Sequence, residues 1–190
     1  MTWQNRAYDG DMTAATRPHL LSLEEWDALG EDSTSHAELQ EGVLIVSPKP
    51  RPEHQYAAGV LFSVLNRAAP EGFRAFPEID LILEARTPAS VRAPDVVVMP
   101  QHAARPFRAS DAVLVVEVLS PGTRRTDLVM KRHEYAEVGI PHYWIVDLDG
   151  DDVRLEALTL VDGAYESVEH TGGFEATAPF AVRLDLDGLR

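Results

Sequence analysis

Residues 112–119 read AVLVVEVL, a run that is apolar at every position except Glu117. A strand without polar alternation is one covered on both faces, so this segment belongs at the centre of a sheet with further layers packed on each side. Such a strand needs a chain that can bury a real core. The 190 residues, 45% apolar and 25% charged, supply one for a compact domain with at most a modest extension.

Glu117 is the informative exception. A lone buried carboxylate costs several kcal/mol unless it is paired or neutralised, so a cation must stand nearby. The plainer alternative is that Glu117 ends the strand and meets an arginine there. After a loop, SPGTRRT, a helix is expected from Asp127 to about Val138, stopped by Gly139 and Pro141. HYWIVD (142–147) follows as a second buried strand. Strand, helix and strand in this order suit a parallel crossover.

The helix carries a second anomaly. On a helical wheel Lys131 falls inside the apolar arc of Leu128, Tyr135 and Val138, whereas Met130, His133 and Glu134 fall outside it. Either the stem packs and the ammonium escapes to water, or Lys131 meets Glu117 and the two anomalies explain each other.

Elsewhere the pattern is local. The polar residues 1–20 read as a loose arm, 21–150 as the core and 151–190 as a C-terminal β extension of the same domain. Ser22 and Glu25 have capping-box spacing, which predicts a short helix to about Gly30 with Leu23 and Trp26 on its buried side. HAELQEGVLIVSP predicts a hairpin turning at Glu41-Gly42. From Pro52 the apolar spacing of Val60, Leu61, Val64, Leu65 and Ala68 predicts a helix closed by Pro70 and Gly72. FRAF, DLILEA, VRA and VVVM, divided by prolines, suggest an antiparallel meander. The weakly alternating tail suggests an added hairpin or sheet edge. Together these predict a mixed α/β (α+β) architecture around one sheet. Asp95, between Pro94 and VVVM, opens a strand. Alone it could be a loop residue, but beside Glu117 on an adjacent strand it would make an oxygen-rich cleft suited to Mg²⁺.

Charge narrows the classes of function. Lys and Arg number 17 against 31 Asp and Glu, a net charge of -14 that argues against diffuse adhesion to nucleic acid or acidic membranes. The segment 105–132 reverses the balance, with 6 basic and 3 acidic side chains for a net +3, and is where an anionic substrate would approach. No apolar run reaches the roughly 18 residues a membrane span needs, and the opening lacks a secretory pattern, so a soluble, cytoplasmic protein is expected. With no cysteine there is no thiolate zinc site and no cysteine nucleophile, and no G-x-S-x-G motif favours a small-molecule hydrolase.

Three blocks, EGVLIVSPKPRPEHQ, APDVVVMP and LVVEVLSPGTRRTDLVMKRHEYAEVGIPHYWIVD, resemble the Uma-two family. This is a bacterial group of restriction-endonuclease-like proteins with the PD-(D/E)XK fold. The resemblance covers roughly residues 20–150 and implies an αβββαβ core with metal-dependent cleavage of nucleic acid, DNA being the expected substrate. Pro94-Asp95 resembles the motif's PD and Glu117 its second acid. Leu119 stands where the motif's lysine would be, and Lys131, on the following helix, is the matching residue. Glu38 and His54 match recurrent positions of the first two blocks. The resemblance implies Asp95, Glu117 and the Val118 carbonyl holding Mg²⁺ or Mn²⁺, with Lys131 orienting or activating water. Glu38 would approach the metal through water, and His54 would bind phosphate or the metal's outer shell. Arg124 and Arg125 are candidate phosphate contacts, and a homodimer would reconcile the acidic surface with a nucleic-acid substrate. A nuclease fold retained as an inactive binding or regulatory module is the rival reading.

Overall fold

The structure, a computed structural model, describes residues 19–30, 36–120, 122, 124 and 126–190. Most of the expected N-terminal arm and Arg125 therefore lie outside the described residues. In chain order the elements are α1 (Leu23–Leu29), β1 (His36–Gln40), β2 (Val43–Ser47), α2 (Pro52–Ala68), β3 (Phe73–Pro77), β4 (Leu81–Glu84), β5 (Ser90–Arg92), β6 (Val96–Pro100) and β7 (Leu114–Val118). A π-helical segment (Thr126–Lys131) runs into α3 (Arg132–Glu137), and β8 (His142–Asp147), β9 (Arg154–Val161), β10 (Ala164–Thr171), β11 (Gly173–Ala176) and β12 (Val182–Asp185) complete the chain.

The apolar run at 112–119 contains β7, whose residues Leu114–Val118 are all buried. It lies between β6, antiparallel, and β8, parallel, in a six-stranded sheet of order β10-β9-β8-β7-β6-β3. Period-2 alternation sends Val96, Val98, Leu114, Val116 and Val118 to one face, against Ala57, Leu61 and Leu65 of α2 and Phe174 and Leu184 of the C-terminal strands. Val97, Met99, Val115 and Ile145 face the other side, against Tyr135 of α3. Each such fully buried side chain contributes about 1.5–3 kcal/mol relative to exposure, which is why β7 tolerates only one carboxylate.

The meander expected over 73–100 does not form, and in place of one sheet the described residues build three. β3 pairs directly with β6. The strands between them, β4 and β5, swing out into a four-stranded sheet of order β2-β1-β5-β4. The exit follows Pro77, where Glu78 takes a positive φ of 45° and its N–H returns to the Asp95 carbonyl. Proline at a strand's end removes a ladder donor and releases the chain. β11 and β12 form a third, two-stranded sheet.

The local predictions are met where local chemistry decides them. Ser22 and Glu25 close a complete capping box on α1, and Leu23 and Trp26 pack on a small cluster around Leu39 and Val91. The hairpin turns at Glu41 and Gly42, both at positive φ. β9 and β10 extend the six-stranded sheet as an antiparallel hairpin. Among the described residues no helix is long and apolar enough to cross a membrane.

Candidate active site

Asp95 and Glu117 are brought together by strand register. Val96 pairs with Val116 across β6 and β7, so Asp95, one position before β6, lies level with Glu117 of β7 at the same end of the sheet. Both side chains are buried. Oδ2 of Asp95 accepts the Val118 N–H at 2.7 Å, which fastens the end of β7 to the residue that opens β6. A residue's N–H and C=O point to the same edge of its strand, so the Val118 carbonyl also projects toward Asp95.

Lys131 settles the question left open by the helical wheel. It is 3% exposed, so its ammonium does not escape to water. Nζ donates to Oε1 of Glu117 at 2.8 Å and lies 3.1 Å from Oε1 of Glu38 and 3.2 Å from Oδ1 of Asp127. Tyr135 adds its hydroxyl to the same Glu117 oxygen at 3.1 Å, with its ring edge-on to Tyr143. Burial works against the lysine's charge, but the Glu117, Glu38 and Asp127 carboxylates outweigh it and hold the ammonium well above its usual range. Glu117 is pushed well above the usual carboxylate range by burial; Lys131 opposes this shift, and Asp127, Asp95 and Glu38 add to it.

Glu38 belongs to this cluster rather than to solvent. Its Oε1 also takes the Ala93 N–H at 3.2 Å, and its Oε2 takes Nη1 of Arg92 at 3.0 Å. Burial would raise its carboxyl, but His36, Lys131, Arg92 and the Ala93 N–H hold it below the usual range. Arg92 is fully buried and grips Glu134 with two bonds, at 2.8 and 2.6 Å. Glu134 was expected on the exposed face of its helix. The π-helical turns before it widen the helix, so a uniform wheel misplaces residues across the junction.

Sequence reading passed over Asp127, Arg92, Glu134 and Tyr135 as members of the cluster. A signal existed for two of them. Asp127 and Lys131 are four apart on one helix face, and Arg92 interrupts the buried run Val91–Ala93 as Glu117 interrupts β7.

His54, in the first turn of α2, places Nε2 3.3 Å from Oδ2 of Asp95. Burial opposes protonation of its ring, but Asp95 prevails and raises it above the usual value. Its Nδ1 and the Oδ1 of Asp127 are buried without a hydrogen bond. Arg124 is placed differently from a free phosphate contact, because its guanidinium forks onto Asp147 at 3.1 and 2.7 Å. Arg132 likewise meets Glu156 at 2.7 Å. Three cations of the basic segment, Lys131 among them, are thus already matched to carboxylates.

The donor set fits a hard divalent cation. The bonds to Val118 and His54 use Oδ2 of Asp95, and those to Lys131 and Tyr135 use Oε1 of Glu117, so Oδ1 and Oε2 carry none of them. These two oxygens and the Val118 carbonyl are the ligand types Mg²⁺ and Mn²⁺ take, with water completing the shell. No three His, Cys, Asp or Glu side chains among the described residues converge as a ready metal cluster.

Comparison with known proteins gives one family. The family model Uma2, described as "Putative restriction endonuclease", matches residues 21–187. Among solved structures, a chain from Anabaena variabilis ATCC 29413 described as a "putative nuclease belonging to DUF820" superposes with a TM-score of 0.69 at 20% identity. The match covers 89% of this chain and 97% of that one, and it shows a common fold. No match is found among curated proteins.

Proposed function

The chain belongs to the Uma2 family, and from that membership together with the buried cluster we propose that it is a divalent-cation-dependent nuclease hydrolysing phosphodiester bonds, with DNA as substrate. The observation that carries the reading is Lys131 Nζ at 2.8 Å from Glu117 Oε1, at the end of the sheet where Asp95 lies level with Glu117. A structural ion pair needs one carboxylate. This one has two more around the lysine and another across the ladder, an arrangement whose repulsion has no stabilising purpose.

In this reading Asp95, Glu117 and the Val118 carbonyl hold Mg²⁺ or Mn²⁺. The cation, when bound, supplies water activation and neutralises charge building on the scissile phosphate. Lys131 keeps a fixed positive charge beside the nucleophile and orients it through an N–H. Glu38 and Asp127 hold the ammonium in place, and Arg92 and Glu134 in turn hold Glu38. His54 steadies Asp95 from the α2 side. Arg124 meets phosphate only after exchanging Asp147 for it, which with a net charge of -14 predicts weak binding to arbitrary duplex.

The test is cleavage of labelled DNA and RNA oligonucleotides, single- and double-stranded, with Mg²⁺, with Mn²⁺ and with a chelator. Wild type cleaves DNA only with a divalent cation, and Lys131→Met does not. Binding without cleavage under every condition would favour the inactive module.

A further inference from the structure

The π-helical segment that leads into α3 inverts the usual placing of side chains. Asp127 and Lys131 are 1% and 3% exposed, whereas the apolar Val129 and Met130 are 60% and 38% exposed. Burial of apolar surface alone would turn such a segment the other way. The π form itself, over Thr126–Lys131, is rare and is used as short widened turns. A specific contact from outside the turn must therefore hold it.

Tyr143 of β8 makes that contact, its hydroxyl donating to the Asp127 carbonyl at 3.0 Å. In an α-helix this carbonyl takes the Lys131 N–H, four residues on. In a π turn it takes the Arg132 N–H, five residues on. The Asp127 carbonyl is thus a point at which the two ladders differ, and a side chain inserted into the ladder is a physical cause of local departure from α geometry. The donor is rigid. Tyr143 is fully buried, and its backbone is level with Val115 of β7 and Leu158 of β9. Its ring stands edge-on to Tyr135 at 5.1 Å and beside Tyr165 at 6.1 Å. The start of the helix is therefore fitted to the sheet.

We infer that Tyr143 is a positioning residue for the Lys131 site: by holding the Asp127 carbonyl it keeps the helix start in its wide register, and so sets Lys131 on Glu117 and Asp127 beside Lys131. It acts through the backbone, where Tyr135 bonds the Glu117 carboxylate itself. The catalytic consequence rests on the nuclease reading, and the structural one does not. Tyr165 supplies the comparison, because its hydroxyl makes the same kind of bond to the Ile140 carbonyl, at 2.7 Å, past the end of α3.

Lys49 and Lys131 are the chain's two lysines, and Lys49 is exposed. Acylation of the folded full chain by an amine-reactive ester therefore reports on Lys131 with Lys49 as reference. In wild type and in Tyr165→Phe, Lys49 reacts and Lys131 stays protected. Tyr143→Phe keeps the ring and its packing, yet its Lys131 is acylated at least about tenfold faster, with Lys49 unchanged. In cleavage assays Tyr143→Phe loses about ten- to a hundredfold in kcat with KM and Mn²⁺ binding near wild type, whereas Tyr165→Phe keeps its kcat. Hydrogen exchange of wild type needs no variant: the Lys131 and Arg132 amides exchange as slowly as those of β7. Lys131 equally protected in both tyrosine variants, a kcat loss shared by Tyr165→Phe, or rapid exchange of the Lys131 and Arg132 amides in wild type would overturn the inference. A wild type that cleaves nothing would count against the nuclease reading alone, because the acylation and exchange results stand without it.

Discussion

Asp95 accepts the Val118 N–H through Oδ2 at 2.7 Å, so one carboxylate both extends the β6–β7 ladder and stands beside the residue that follows Glu117. The two roles separate by substitution. Asp95→Ala leaves a buried N–H unpaired and costs about 1–3 kcal/mol in urea unfolding. Asp95→Asn keeps an acceptor there and retains most of that stability, yet loses divalent-dependent activity. An Asn variant as unstable as the Ala variant would show that the bond needs the charge.

Arg92 fixes Glu38 and Glu134 with three bonds between 2.6 and 3.0 Å. Lysine cannot reproduce that planar fork, so Arg92→Lys loses about 2–4 kcal/mol. Thermal and urea unfolding measure the loss. Because Glu38 then no longer holds Lys131 in register, kcat falls further than KM changes.

Tyr135 shares the Glu117 oxygen with Lys131. Tyr135→Phe removes one hydroxyl and keeps the ring against Tyr143, costing about 1 kcal/mol. Activity falls modestly and divalent binding persists. Loss of both would move Tyr135 from support to direct participation.

Much of the local structure was legible because it is set by neighbours in sequence. The capping box at Ser22, the hairpin at Glu41-Gly42 and the buried run of β7 each carry their own instructions. Lys131 was legible for the same reason, as a cation on an apolar face. The split of the sheets was not, because pairing β3 with β6 joins segments some twenty residues apart and turns on the conformation of Glu78. Arg124 was legible as a cation but not as the partner of Asp147, which arrives from β8. Glu134 was misplaced because the helix it sits on begins with π turns.

Acid stability follows from Asp147. Partial burial opposes its charge, but Arg124, Arg154 and the Asp149 N–H bring its carboxyl down to about 2, against about 3.9 in the unfolded chain. A folded value below the unfolded one gives stability that is fully present above about pH 4 and disappears as pH falls toward 2. Asp147→Asn is therefore less stable than wild type at about pH 6, on the order of 1–2 kcal/mol, and equal to it near pH 2. Urea unfolding across that range measures the convergence.

The most direct test of the site is Mn²⁺ binding followed by electron paramagnetic resonance on wild type, Asp95→Asn, Glu117→Gln and Lys131→Met. Wild type and Lys131→Met bind one ion, the two acid variants bind it far more weakly, and only wild type cleaves DNA. Equal Mn²⁺ binding by all four proteins, or by none, would contradict a cation held between Asp95 and Glu117.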